Sequence, residues 1–267
     1  MSFNPNELVL ERIRAVEEYD TATKELIGRY TQIESPSLKT AAEGTTVTDA
    51  MGAEITTFYK AQTGTFDFTN SIFSLDLAAS QFGSDKVIAS TTDKIIRPMS
   101  DTLEIKSDGT VVLEYEPAGE IAEQLKSIKV INENNEFGKT YTYSPADAPT
   151  EDTFTYKADT KTIQLPEGVT GKVFVRYDVE SENAVKITKK TDALPAVRSL
   201  LLHAIFHDPC DINKVYAGVI SIPRAQIDPS SVEVSLTPDG KHAASYKLQK
   251  PYCDEKASLF DIIVSED

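Results

Sequence analysis

Residues 52–83, GAEITTFYKAQTGTFDFTNSIFSLDLAASQFG, constrain the fold of this chain more than any other stretch. Thr, Phe and Ile alternate with small residues, which is the period-two pattern of strands. In TFDFT, Phe66 and Phe68 share one face, and Thr65, Asp67 and Thr69 share the other. Two strands, about 53–60 and 64–70, flank Gln62-Thr63-Gly64, where glycine suits a tight hairpin. The segment 71–82 then reads as a short helix, with Asn70 or Ser71 at its cap and Gly83 just past its end. Nothing here is arranged for chemistry, so a surface this rich in aromatic side chains points to assembly.

The rest of the chain agrees with a β protein large enough to bury a real core in one domain or two. Of its 267 residues, 42 are acidic and 27 basic, for a formal net charge of -15. That balance argues against a nucleic-acid-binding surface, because phosphate contacts need clustered Lys and Arg. An acidic chain can still work beside nucleic acid when its task is to avoid adhering to it. No apolar run reaches the roughly 20 residues of a membrane span. The first twenty residues show no signal-peptide core, which predicts synthesis in a cytoplasm. Cys210 and Cys253 are too few for a disulfide scaffold.

Along the chain, 6–20 places Leu8, Ile13 and Val16 at helical spacing behind Asn6, which predicts a short helix or a terminal arm. The segment 24–35 reads as a strand ending at Ser35-Pro36, and 37–50 as a Thr-rich loop or arm. Between about 101 and 185 come TLEI, TVVLEYE, KSIKVIN, KTYTYS, DTFTYKAD, KTIQLP and GKVFVRYDVE, separated by turn residues. Regular turns between short strands are the signature of a small β-sandwich. Residues 101–160 carry 13 acidic and 5 basic side chains, a local net of -8 that suits a solvated module. The longest apolar run, 192–211, reads as a helix or buried strand stopped at Asp208-Pro209. Further strands follow, with Pro238-Asp239-Gly240 as a sharp turn and SLFDIIVSED as a closing strand. This C-terminal third can pair with 24–70, leaving the middle as an insertion. The expected division is therefore 1–100, 101–190 and 191–267.

One group of residues resembles a site. His203, His207 and Cys210, with Cys253, supply the N and S donors of a tetrahedral structural zinc. The alternative is two histidines at the end of an apolar segment with two unconnected thiols. The HExxH arrangement is absent, a His207–Cys210 dyad lacks an orienting group, and the glycines form no nucleotide-binding pattern. Acidic pairs such as Asp67 with Asp76 or Glu114 with Glu116 lack any inferable cleft for glycoside chemistry. Tyr141, Tyr143, Phe154 and Tyr156 fit either carbohydrate binding or core packing. The chain is not expected to be an enzyme.

Residues 53–83 and 215–263 resemble the hairpin-plus-helix region and the closing part of major tail (tail tube) proteins of tailed bacteriophages. The resemblance implies a mainly β fold: a β-sandwich tail-tube-like domain with a flanking helix, plus an inserted small immunoglobulin-like β-sandwich. It implies hexameric rings that stack into a conduit for DNA ejection, in contact with other tail proteins. DNA would pass through without specific binding. The strands at 53–60 and 64–70 would form the inner barrel, with Thr65, Asp67 and Thr69 toward the lumen. Residues 37–51 would reach toward an adjacent ring, and assembly would take place in the bacterial host cytoplasm. The roughly 85 extra residues in the middle keep another virion role, a head or decoration subunit, as the alternative.

Overall fold

A computed structural model describes residues 6–132, 134–238, 240–252 and 258–266. The fold is mainly β. It divides into two compact units, one made of Met1–Lys86 with Ile187–Asp267 and the other of Val87–Lys186.

The first unit opens with β1 (Val9–Asp20) and β2 (Leu26–Tyr30), so the segment expected as a short helix or terminal arm is a strand of the sheet. Its misleading spacing has a structural cause. Bulges between Leu10 and Arg12 and between Ile13 and Ala15 interrupt the alternation, and Ile13, Val16 and Glu18 all end up buried. Next, β3 (Ile33–Ala41) runs through Ser35-Pro36 instead of stopping there. It is the last strand of its sheet, so Pro36 removes no ladder bond, and a bulge between Glu34 and Ser37 absorbs the kink.

The strands β4 (Gly44–Thr48), β5 (Glu54–Tyr59) and β6 (Thr63–Asn70) correct the expected hairpin. β5 pairs with β4, and β6 pairs with β3, so 53–60 and 64–70 are not partners. The chain reverses instead at 49–53, where the Asp49 carboxylate accepts from the N–H groups of Met51 and Ala53, both at 2.8 Å. Gly52 supplies the positive φ of 86° that this turn requires. The segment 37–50, expected as a loop or arm, is therefore largely strand, and its second half forms one side of a projecting strand pair.

After β6 comes α1 (Leu75–Phe82), capped by Ser74, whose Oγ accepts from Leu77 N at 3.3 Å. Gly83 ends it at φ 64°, and a Cβ there would lie 2.1 Å from the Leu194 carbonyl oxygen. Glycine is required twice over at this position.

The second unit contains β7 (Val87–Ile88), β8 (Ile95–Glu104), β9 (Thr110–Val112), α2 (Ile121–Gln124), β10 (Ser127–Ile131), β11 (Phe137–Tyr143), β12 (Thr153–Lys157), β13 (Thr162–Gln164), β14 (Lys172–Ser181) and β15 (Val185–Lys186). β7 pairs with β15 where the chain enters and leaves the unit. The other seven strands follow the order β8-β14-β10-β11-β12-β13-β9, antiparallel except for β11 with β12. They enclose one core, in which Leu125, Ile128, Phe154, Ile163, Val173 and Tyr177 are fully buried. The contacts begin this unit at Val87 rather than at 101, because β8 pairs along its whole length with β14.

The chain then re-enters the first unit as β16 (Val197–His207), β17 (Val215–Ile227), β18 (His242–Leu248) and β19 (Asp261–Ser265). The long apolar run is thus a strand. The resulting antiparallel sheet has the order β2-β1-β16-β17-β18-β6-β3, with β19 also on β17, and it curls around one core. Phe66, Phe68, Tyr30 and Tyr246 pack there with ring centroids 5.5 to 6.4 Å apart. Burying each such phenylalanine contributes on the order of 1.5–3 kcal/mol.

A polar group lies within this apolar core. Glu18 is fully buried and accepts from Tyr30 Oη at 2.7 Å and Ser80 Oγ at 2.9 Å, which ties α1 to the sheet. Arg198 Nε lies 3.7 Å away, and Arg198 Nη1 donates to Asp20 at 2.7 Å. Burial raises the Glu18 pKa despite these donors and the Arg198 charge.

Candidate assembly surface

The strands β3 and β6 pair from Ile33 and Asn70 to Ala41 and Thr63, and β4 with β5 then continues the same hairpin outward. The inner half is covered, whereas the outer half forms a two-stranded arm with no further strand on either edge among the described residues. At roughly 3.4 Å per residue, the arm carries its turn on the order of 25 Å beyond the Ala41–Thr63 pair.

Local chemistry explains why the arm has a defined shape. Val47 and a run of threonines favour extended backbone. Thr46 and Thr57 bond across the strands at 3.0 Å, and the base is closed by the Lys60–Glu43 ion pair at 3.0 Å. Both faces nevertheless carry apolar side chains to solvent. Met51 is 94% exposed, Tyr59 73%, Phe58 65% and Ile55 64%, whereas Phe66 and Phe68 on β6 are 1% and 2% exposed. An isolated two-stranded ribbon is marginally stable in water, and exposed apolar side chains gathered on one are a mark of an interaction surface.

The face of β6 opposite the core presents Thr65, Asp67 and Thr69, as the alternation predicts. It continues onto β18 and β3 as a small, polar surface. Ser245 Oγ donates to Asp67 at 2.6 Å, and Lys39 lies 3.6 Å from the same carboxylate. Lys247 pairs with Asp228 at 2.8 Å and holds that carboxylate well down, at about 2. Both lysines of this face are thus paired with carboxylates.

His242 on β18 fastens the helix behind this face. Its Nδ1 accepts from Ser74 N at 3.3 Å, its Nε2 meets Gln81 Oε1 at 2.8 Å, and its ring stacks on Phe73 at 5.0 Å. Burial lowers its pKa.

The histidines of the expected zinc set lie on β16, where four-residue spacing again puts them on one face. His203 Nε2 is 3.1 Å from Glu17 and His207 Nε2 is 2.6 Å from Glu11, so each is engaged by a carboxylate of β1. The Glu11 bond raises the His207 pKa. Cys210 is exposed, and Cys253 lies outside the described residues. Among the described residues, no three His, Cys, Asp or Glu side chains group to hold a metal ion. In the second unit Tyr141 and Phe154 are buried in the core and Tyr143 packs against Phe154, so these aromatics serve packing. No helix among the described residues is long and apolar enough to cross a membrane.

The reading from sequence missed the arm's first strand. GTTVT alternates too weakly in hydropathy to stand out, although Thr and Val are strand formers and Asp49 three residues before Gly52 is a turn signal.

A curled antiparallel sheet flanked by one short helix, with a bare strand arm, defines a structural subunit whose surface is made for association. Residues 8–260 match the YomU/Tube protein family, and the chain belongs to that family of tail-tube structural proteins. It is accordingly a tube-forming component of the virion tail and not an enzyme. No curated protein matches the chain.

Proposed function

We propose that the protein forms closed, hexameric rings that stack into the tube through which phage DNA leaves the head, each ring held to the next by the β4–β5 arm. The observation that carries this reading is the arm itself: a two-stranded ribbon exposed on both faces, with Met51, Ile55, Phe58 and Tyr59 in solvent. The β3–β6–β18 face supports the conduit. Its Thr65, Asp67, Thr69 and Ser245 side chains are small and polar, and its lysines are paired, so a passing DNA backbone would meet no free cluster of positive charge. In this reading Thr65, Asp67 and Thr69 face the lumen, and assembly takes place in the host cytoplasm.

The test is negative-stain microscopy of purified protein, alone and with tail components. The expected result is six-fold rings and stacked tubes for the natural chain. Replacing 45–57 by a short Gly-Ser turn should leave a folded subunit that makes no tubes. A natural chain that stays monomeric at high concentration, or tubes made equally well without the arm, would overturn the proposal.

A further inference from the structure

The covered hairpin β3–β6 has two ends with opposite electrostatic character. At one end stands the arm. Between Gly44 and Tyr59 it carries Asp49 and Glu54 and no Lys or Arg. At the other end, where β3 begins at Ile33 and β6 finishes at Asn70, the chain forms an open cleft of about 540 Å³ against β1 and β2. Arg12, Arg14 and Arg29 line it, three of the seven arginines in a chain whose net charge is -15.

These arginines are only partly neutralised. Arg29 Nε is 3.1 Å from Glu17, and Arg12 Nε is 3.5 Å from Glu11. Those two carboxylates are also bonded to His203 and His207. Arg14 is exposed and has no ion-pair partner among the described residues. The one carboxylate lining the cleft, Glu34, is taken by Lys241 and by Ser71 Oγ, the latter at 2.5 Å. The cleft therefore offers guanidinium groups whose planar donors suit an incoming carboxylate.

We propose that the Arg12–Arg14–Arg29 cleft receives the acidic tip of the β4–β5 arm from a second copy of this chain. The inference rests on the tube reading and names the contact that stacks one ring on the next. An acidic projection at one end of a strand pair and a basic recess at the other make a heterologous, head-to-tail interface. Such an interface repeats without limit along the strand direction. The same charge pattern explains why an acidic subunit keeps three arginines together: they attract the neighbour's arm while like-charged surfaces repel in other orientations.

The test is a charge exchange read by tube length in negative stain and by light scattering. One variant carries Arg12→Glu and Arg14→Glu. A second carries Ala50→Lys and Glu54→Lys, which leaves the Asp49 turn contacts in place. A third carries all four changes. Thermal melts followed by circular dichroism check each fold, and Arg14→Gln serves as the mild variant if the double cleft change fails to fold. Each reversal alone should weaken ring-to-ring association by roughly tenfold or more, leaving short tubes or single rings, and the combination should restore long tubes. High salt should shorten natural tubes, because the pair is exposed to screening.

Cleft variants that stack like the natural chain would overturn the inference while leaving the tube reading intact. Short tubes that the fourfold exchange fails to restore would overturn it too, assigning the cleft to another occupant. A natural chain that forms neither rings nor tubes removes the tube reading and this inference together.

Discussion

One hairpin runs through two environments in this protein. From Ile33 to Ala41 and Thr63 to Asn70 it lies in a curled sheet, with Phe66 and Phe68 packed on Tyr30 and Tyr246. From Gly44 to Thr48 and Glu54 to Tyr59 it stands alone, with Phe58 and Tyr59 in water. The two halves are both rich in Thr, both carry aromatic side chains, and both pair antiparallel. What separates them is coverage: the inner half is closed by β18 and by the rest of the first unit's core, while the outer half, among the described residues, is a sheet of two strands only. Alternation identifies a strand, and only the neighbours decide whether it is core or interface.

The contrast can be broken from the covered side first. Phe66→Ala should cost the subunit about 3–5 kcal/mol, the usual range for removing a buried phenylalanine. Urea unfolding of the dissociated subunit measures this, and a loss below about 1 kcal/mol would mean that β6 is not packed as described.

A smaller effect should follow acidification. Burial holds His242 neutral in the folded protein, so the unfolded chain takes up its proton first as pH falls. The stability from the Ser74 and Gln81 contacts is complete above the ordinary histidine value of 6.5 and is lost as pH drops through the lower folded-state value. The urea midpoint of the natural chain should fall more steeply as pH drops below about 6.5 than that of His242→Gln. Parallel slopes would show that His242 does not anchor α1.

The smallest effect on the subunit belongs to the arm. Phe58→Ser should change subunit stability by less than about 0.5 kcal/mol, as exposed substitutions do, yet it should sharply reduce tube formation in the same microscopy. A Phe58 variant that destabilises the subunit as much as Phe66→Ala would erase the distinction between the two halves.

Much of the fold is legible in local patterns. Of the second unit's strands longer than two residues, β9, β10, β12 and β13 lie wholly within the alternating segments, β11 and β14 run past theirs by a residue or two, and β8 starts well before its segment, TLEI. Gly83 stands at the helix end where the sequence puts it, and Phe66 and Phe68 face inward as the period of two requires. The failures share a cause. Bulges in β1 convert a period of two into a spacing of three, and a bulge in β3 lets a strand pass Pro36. In the arm, the pairing partner of 54–59 lies upstream, at 44–48, not downstream across Gly64. Bulges and partner choice depend on the strand opposite, which a linear pattern does not contain.

The same division holds for the candidate surface. Composition alone makes the chain acidic, and alternation alone places Thr65, Asp67 and Thr69 together on one face of a strand. Both are properties of single residues and their nearest neighbours in sequence. The tertiary structure decided the rest: it bonded His203 and His207 to β1 carboxylates, left the arm bare, and gathered Arg12, Arg14 and Arg29 at the far end of the same hairpin. Those outcomes depend on which strands pair and what remains uncovered once they have paired, and that is settled only when residues distant in the chain meet.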